Sequence, residues 1–484
     1  MALQLYNTLS RKREDFQPLE AGQVKMYCCG VTVYDYCHLG HARSYIAWDT
    51  VRRYLEWSGY AVRYVQNFTD IDDKILKRAR AEKSSMDAVS DKYIEAYYAD
   101  MDRLNIRRAD EYPRATHTID GIKRLIHELE NKGIAYAAEG DVYYAVRKYA
   151  DYGKLSKRNL DDLESGASGR VDDEASKKQD PSDFALWKAA KPDEPFWESE
   201  WGNGRPGWHI ECSAMVRDRL GDSIDIHVGG GDLMFPHHEN EIAQSEAATG
   251  EQLATYWMHN GMVNVGGVKM SKSLGNFTTI RDLLDKGHIQ PMAMRLFVLG
   301  ANYRKPIDFT EEAMTAATNG WQTLNEGLRF GLDYGSKLGW TNLDATWEKS
   351  QLDAGAIATF NQVMDDDFNT SGALAVLFDM AKKLQREANV IMHKGAADAD
   401  PATLETQWHT LTVLADVLGL TATDVVAAET TGGLDDAAID ALVEQRTAAK
   451  AAKDFGTADR IRDELKEAGI TLIDQPGGKV AWHR

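Results

Sequence analysis

The chain has 484 residues, of which 43% are hydrophobic and 27% are charged. This length exceeds what one hydrophobic core usually supports, so about three domains are expected. The net charge of −19 argues against non-specific binding to nucleic acid. No apolar run approaches the roughly 20 residues of a membrane span, and the first residues lack a signal-peptide pattern, so the sequence predicts a cytoplasmic protein with no membrane attachment.

The first part of the chain predicts a strand, a turn, a helix and a second strand in succession. Residues 25–34 read as a buried strand, apolar residues near a 3.6-residue spacing continue to Gly59, and residues 61–68 predict the next strand. This order is typical of a right-handed parallel unit, in which ligands bind at strand carboxyl ends and helix N-termini. Residues 38–41 fall at that place.

The remaining elements are mostly helical. Helical patterns cover about residues 86–104 and 116–132, whereas residues 150–205 are rich in Ser, Asp, Lys and Gly and predict a connection of exposed loops. Residues 223–228 predict a strand that returns to the sheet. The tail pattern predicts a helix followed by a small hairpin.

The expected fold class is therefore α/β, with a Rossmann-like parallel sheet and further domains after it. The predicted divisions are a Rossmann-like domain over residues 1–310 with a connective insertion at about 115–205, an α-helical bundle over 311–420, a linker over 421–436 and a small C-terminal α+β domain over 437–484.

Two short motifs are candidates for a nucleotide site. Gly40 has no side chain, so a nucleotide can approach its backbone, and His38 and His41 can donate hydrogen bonds to phosphate near a helix N-terminus. Lys269 and Lys272, in a loop with flanking glycines, can reach pyrophosphate as its charge grows in the transition state. Each motif alone also fits core histidines or a solvated loop. Together, in this order, they resemble the paired ATP signature of class I aminoacyl-tRNA synthetases.

A candidate metal site contains His237 and Glu241, which lie four residues apart and would share one face of a helix. Thiolates would complete a tetrahedral zinc site. Spacing alone leaves this open, because such a pair is also a common surface contact. Cys28 and Cys29 are adjacent in the predicted strand and point to opposite faces, so only one of them can face a metal.

Six segments are similar to cysteinyl-tRNA synthetases, and the likeness runs from the N-terminus to the tail. They are residues 26–35, 67–74, 113–117, 207–215, 234–241 and 365–370. The resemblance implies that the helical region contacts the RNA stem and reads the anticodon, and that the C-terminal domain also binds tRNA. Trp482 could then stack on a base, or it could pack in the core of the terminal hairpin.

The resemblance also implies roles for individual residues. The implied zinc ligands are Cys29, Cys212, His237 and Glu241, with Cys28 as a core thiol. The implied catalytic and ATP-contacting residues are His38, Gly40, His41, Lys269 and Lys272, and the implied amino-acid contacts are Thr32 and Trp208. Asp70, Asp72 and Asp73 fit substrate orientation and local turn structure equally well.

The implied function is an ATP-dependent ligase that joins L-cysteine to tRNA(Cys), with Mg²⁺ accompanying ATP. One zinc ion per chain would bind the substrate thiolate, because coordination deprotonates a thiol and a serine hydroxyl competes poorly. No heptad pattern or exposed apolar stripe is apparent, so a monomer is expected. Two alternatives stay open: a mycothiol-type ligase that transfers cysteine to a small amine, and a non-enzymatic scaffold that binds ATP or RNA.

Overall fold

The structure is a computed structural model that describes residues 2–159, 177–270, 276–343, 346–424, 436–468, 470–474 and 480–483. Its strands in chain order are β1 (Gln4–Asn7), β2 (Lys12–Asp15), β3 (Gln23–Thr32), β4 (Ala61–Thr69), β5 (Ala135–Ala138), β6 (Asp141–Tyr144), β7 (Phe184–Ala189), β8 (Gly204–Pro206), β9 (Ile224–Gly230), β10 (Ala254–Asn260), β11 (Val263–Val265), β12 (Val268–Lys269), β13 (Ile307–Phe309), β14 (Thr471–Asp474) and β15 (Val480–His483).

The α-helices are α1 (Leu39–Trp57), α2 (Asp73–Glu82), α3 (Met86–Arg103), α4 (Ile119–Asn131), α5 (Trp208–Leu220), α6 (Glu239–Thr249), α7 (Pro291–Leu299), α8 (Glu311–Tyr334), α9 (Ala354–Met364), α10 (Thr370–Lys394), α11 (Pro401–Val417), α12 (Asp436–Ala451) and α13 (Phe455–Glu467). A short helical turn at Met234–His238 precedes α6. In the part of the chain that is described, no helix is long and apolar enough to cross a membrane.

The central sheet contains four parallel strands in the order β10-β9-β3-β4. Helix α1 connects β3 to β4, which gives the strand–helix–strand unit expected from the sequence. Apolar cores lie on both faces of the sheet, since Cys28 packs in one core and Cys29 in the other. The predicted α/β class with a Rossmann-like parallel sheet is confirmed.

The segment between α4 and α5 is more ordered than the sequence analysis predicted. Strands β5 to β8 form a four-stranded antiparallel sheet, and α4 packs on it around Leu125, Leu186 and Trp187. The expectation of exposed loops over residues 150–205 is therefore wrong for β7 and β8. These strands are six and three residues long and lie among polar and glycine residues, so they lack an extended apolar pattern. Residues 160–176 lie outside the described residues.

Helices α8 to α11 follow the parallel sheet and its helices, and one continuous apolar core extends from the sheet into them. Helices α12 and α13 pack with the β14–β15 hairpin around a separate small core that includes Ile439 and Leu465. Trp482 packs against this core, and its Nε1 donates to Asp440 Oδ1 at 2.7 Å. This contact favours the packed alternative for Trp482.

A buried arginine joins the sheet side of the molecule to the helical side. Arg295 in α7 is fully buried and pairs with Asp49 in α1. Its Nε donates to the carbonyl of Leu418 at 2.7 Å and its Nη1 to the carbonyl of Leu104 at 3.0 Å. Arg53 also donates to Asp49 at 2.8 Å. The Arg295 guanidinium thus donates to acceptors from three separate chain segments at one buried point.

We expect Arg295→Met to lower the free energy of unfolding by at least about 3 kcal/mol, because it leaves buried polar groups without their partner. Arg103→Met is the matched control, since Arg103 makes a surface ion pair with Asp285 at 2.6 Å. Arg103→Met should lower the free energy of unfolding by only about 0–1 kcal/mol. Thermal and urea unfolding of the two variants test this, and equal stability losses would contradict it.

Candidate functional site

Four metal-capable side chains from separate segments meet behind the carboxyl ends of the parallel strands. The four residues are Cys29 (β3), Cys212 (α5), His237 (the turn before α6) and Glu241 (α6). All four are buried, and their ligand atoms lie within 4.8 Å of one another. Two sulfurs, one imidazole nitrogen and one carboxylate oxygen form a donor set suited to zinc.

The electrostatics of this cluster favour a bound cation. Cys29 donates to Cys212 across 3.9 Å, and this hydrogen bond lowers the pKa of Cys212 to about 6. Burial lowers the pKa of His237, but the neighbouring Glu241 and Cys212 anions raise it to about 10. Without a metal, a proton on His237 therefore supplies the positive charge that the buried anions attract.

Sequence reasoning missed a second layer of histidines beside this cluster. His227 in β9 is hydrogen-bonded through Nε2 to Glu241 Oε2 at 2.9 Å, and His238 Nδ1 lies 2.8 Å from His259 Nε2. Cys29, His227, His238 and Glu241 form a second buried group whose possible ligand atoms lie within 4.8 Å of one another. The available signals were the pair His237-His238 and a histidine in the middle of an apolar strand. His227 holds the Glu241 oxygen that does not face Cys29, since Cys29 lies 3.3 Å from Oε1.

The backbone beside Cys29 requires a glycine. A Cβ atom on Gly30 would lie 1.5 Å from the carbonyl oxygen of Asn67, so no other residue fits without moving β3 or β4. The amide of Gly30 donates to Asn67 Oδ1 at 2.8 Å, and the β3–β4 register shifts between Cys28 and Val31. This irregularity positions Cys29 at the base of the cleft.

A cleft of about 420 Å³ opens in front of the metal cluster. Of the sequence-predicted residues that the structure describes, its lining includes Cys29, Thr32, His38, Gly40, His41, Trp208 and Lys269. The Trp208 ring also lies 4.3 Å, between centroids, from the ring of His237. The cleft lining therefore combines one residue of the candidate metal cluster, Cys29, with Thr32, Trp208 and described residues of both predicted nucleotide signatures. The other three clustered residues, Cys212, His237 and Glu241, are buried next to Cys29 and are not among its lining residues.

His38 and His41 form a reciprocal cap at the start of α1. His41 N donates to His38 Nδ1 at 3.3 Å, and His38 N donates to His41 Nδ1 at 3.2 Å. Because each Nδ1 accepts a backbone N–H, a neutral ring must carry its proton on Nε2. Both rings therefore present an Nε2–H group, which is a donor suited to phosphate oxygen.

Met270, the residue after Lys269, lies close to Gly40 and so brings the described start of the lysine signature near the histidine signature. A Cβ on Gly40 would lie 2.9 Å from the His38 ring and 3.5 Å from the methyl group of Met270. Further along the chain, Ile280 N donates to the carbonyl of Cys37, next to His38, at 2.9 Å. Lys269 is described and lines the cleft. Lys272, with residues 271–275, lies outside the described residues.

The three aspartates after β4 support local structure. Asp70 accepts from Thr116 N at 3.0 Å and from its hydroxyl at 2.6 Å. Asp72 caps α2 by accepting from Lys74 N at 2.8 Å. Asp73 pairs with Arg205 at 2.5 Å. These contacts favour the cap and turn alternative over substrate orientation.

Similar folds occur in solved synthetase structures. A methionyl-tRNA synthetase of Mycobacterium tuberculosis in complex with methionyl-adenylate has a TM-score of 0.55 and 17% identity, covering 82% of this chain and 89% of that chain. The LeuRS of Agrobacterium radiobacter in a ternary complex with tRNA and LeuAMS has a TM-score of 0.57 and 12% identity, covering 84% and 85%. With this fold, and with residues 15–319 matching a class I tRNA synthetase catalytic domain, the chain is a class I aminoacyl-tRNA synthetase.

Family and relative comparisons narrow this class. Residues 15–319 match the class I (C) tRNA synthetase catalytic domain, residues 359–423 the DALR domain, and residues 433–482 the cysteinyl-tRNA ligase anticodon binding domain. Cysteine–tRNA ligases of Gloeothece citriformis and Synechococcus elongatus are 64% and 65% identical to the chain, each over 100% of both chains. The chain belongs to the cysteine–tRNA ligase family.

The adjacent cysteines allow a test of the metal cluster with one type of substitution. We expect Cys29→Ser to lose most of the bound divalent metal, because it removes a ligand sulfur, whereas Cys28→Ser should retain it. Burial raises the pKa of Cys28 to about 12, so it stays a protonated core thiol. Elemental analysis of the purified proteins measures the metal per chain. Equal retention by both variants would show that Cys29 is not a ligand.

Proposed function

We propose that this chain activates L-cysteine with ATP, releases pyrophosphate, and transfers the cysteinyl group from its adenylate to the 3′-terminal ribose of tRNA(Cys). The observation that carries this proposal is the single cleft lined by Cys29, Trp208, His38, His41 and Lys269. This shared cleft supports an arrangement in which an amino acid bound beside Cys29 faces ATP bound at the start of α1.

Zinc fits the four clustered residues better than a hard cation such as Mg²⁺, because two of the four donors are sulfur. The proposed ligands are Cys29, Cys212, His237 and Glu241. When bound, the ion would supply a Lewis-acid position that favours the thiolate of cysteine over the hydroxyl of serine. Trp208, whose ring lies beside His237, would form a wall of the amino-acid pocket together with Thr32.

The nucleotide roles follow from the geometry of α1. The Nε2–H groups of His38 and His41 would donate to the phosphates of ATP, and the N-terminus of α1 adds a fixed positive potential. Gly40 lines the cleft, and because a Cβ there would lie 2.9 Å from the His38 ring, glycine at this position allows that ring to pack against the start of α1. Lys269 and Lys272 would stabilise the negative charge that builds on the departing pyrophosphate, and Mg²⁺ would accompany ATP.

Two features support tRNA as the acceptor in preference to a small amine. The chain aligns with cysteine–tRNA ligases over their full length, including a match to their anticodon binding domain. The helical region from α8 to α11 and the domain from α12 to β15 provide a large surface beyond the cleft. A ligase that acts on a small amine would not require an anticodon binding domain.

The direct test is transfer of labelled cysteine to total tRNA with ATP and Mg²⁺, in the presence of excess serine. We expect acid-precipitable cysteine that is insensitive to serine. Cys212→Ser should lower kcat/KM for cysteine-dependent pyrophosphate exchange by at least about 100-fold, because loss of a ligand exceeds the effect of altering an outer partner.

Each other result excludes part of the proposal. Pyrophosphate exchange without charging of tRNA would point to a small-amine acceptor. Absence of both pyrophosphate exchange and tRNA charging would point to a non-enzymatic scaffold that binds ATP or RNA. Full cysteine selectivity in the Cys212→Ser protein would remove the role proposed for the metal.

A further inference from the structure

Helix α2 carries a concentration of positive charge in an acidic protein. Residues 73–83 contain five basic and two acidic side chains, although the whole chain has a net charge of −19. The basic residues are Lys74, Lys77, Arg78, Arg80 and Lys83.

Both acidic residues of α2 are already paired. Asp73 binds Arg205, and Glu82 binds Arg78 at 2.5 Å and Lys92 at 3.0 Å. The two carboxylates therefore do not neutralise the remaining cations of the helix. Among the five basic residues of this segment, Lys74, Lys77, Arg80 and Lys83 make no ion pair with a carboxylate of the described residues.

These cations share the solvent face of the helix. Ile75, Leu76 and Ala79 form its buried face. Lys74, Lys77 and Arg80 are exposed on the opposite side. With a rise of 1.5 Å per residue, the row from Lys74 to Arg80 is about 9 Å long. A nucleic-acid strand has one phosphate for roughly every 3.4 Å of helix axis, so such a row can face about three phosphates.

The row begins inside the catalytic cleft. Lys74 lines the cleft together with Tyr34 and Trp208, and its Nζ lies 5.4 Å from the centre of the Tyr34 ring. Lys77 and Arg80 continue the row away from the cleft along α2. An RNA whose 3′ end enters the cleft must run over neighbouring surface, and this surface offers charge complementary to its phosphates.

We propose that the exposed face of α2, formed by Lys74, Lys77 and Arg80, binds the phosphates that precede the 3′ end of the RNA substrate and guides that end into the cleft. This inference rests on the proposed transfer to tRNA. The face supplies affinity without reading bases, because lysine and arginine contacts to phosphate carry no sequence information. It also explains how an acidic protein binds a polyanion at one place.

The test compares the double variant Lys77→Glu/Arg80→Glu with the unaltered protein. Each phosphate contact contributes a slope of about 0.7 to 0.9 to the salt dependence of log affinity, so two lost contacts should weaken tRNA binding roughly 15- to 30-fold at 0.15 M salt. The apparent KM for tRNA should rise accordingly, and the salt slope should fall by about 1.4 to 1.8. Cysteine-dependent pyrophosphate exchange should stay unchanged, since neither residue lines the cleft.

Lys12→Glu is the matched control for the single variant Lys77→Glu. Lys12 is exposed in β2, and the β1–β2 hairpin contributes none of the described lining residues of the cleft. The two substitutions change the net charge equally, so only Lys77→Glu should weaken tRNA binding, by about fourfold to sixfold at 0.15 M salt.

The outcomes separate this inference from the function on which it rests. Normal tRNA affinity and charging by the double variant would overturn the inference alone, as would an equal loss in Lys12→Glu. No charging by the unaltered protein, with pyrophosphate exchange intact, would overturn the proposed transfer to tRNA and this inference with it. A selective loss of tRNA affinity in the α2 variants would support both.

Discussion

Buried negative charge at the Cys29–Cys212–His237–Glu241 cluster is the constraint around which the site is arranged. A carboxylate and a thiolate at this depth are costly unless a cation or hydrogen-bond donors compensate them. Burial raises the pKa of Glu241, but His227 and His237 hold it well below its usual range. The fold must therefore bring two helices, a strand end and a turn to one point, and the cleft lies directly in front of that point.

Helix α1 connects this catalytic region to the rest of the protein. Its first turn contains the histidine cap, and its later turns contact the helical region through Arg53 and Asp416 and through Trp57 and Asn361. Arg43, also buried, donates to the carbonyls of Val298, Asn302 and Tyr303. These contacts bury guanidinium groups against carbonyls that no regular helix or strand would satisfy. The His38–His41 cap is thus fixed relative to α7 and α11.

Much of this arrangement could be predicted from local sequence. The strand–helix–strand unit around α1 has clear periodicity, and His38 and His41 lie at the start of α1, the end at which such a unit is expected to bind a ligand. The likeness to a known family supplied the four clustered residues, which spacing alone left undecided because they are separated by up to 212 positions, the interval between Cys29 and Glu241. The strand β3 and the helices α5 and α6 that pack beside it bring these four residues together.

What could not be predicted depends on contacts between distant segments. His227 reads as one polar residue in a buried strand, and only the position of Glu241 shows what it binds. Strands β7 and β8 are short, and they are stabilised by pairing with β6 and with each other, which no local pattern records. Local sequence therefore predicts loops where the insertion contains β7 and β8. The roles of Asp70, Asp72 and Asp73 likewise became visible only with Thr116, Lys74 and Arg205 in place.

The close backbone contact between Gly30 and Asn67 limits how the cleft in front of Cys29 can be redesigned. Any side chain at position 30 would collide with a main-chain oxygen, so a library that seeks a new amino-acid preference cannot gain diversity there. The same contact anchors the backbone of Cys29, which means that enlarging the pocket by moving this strand would also displace a candidate metal ligand. If the cleft binds the amino acid as proposed, such a library belongs at lining side chains such as Trp208, while the backbone at Gly30 stays fixed.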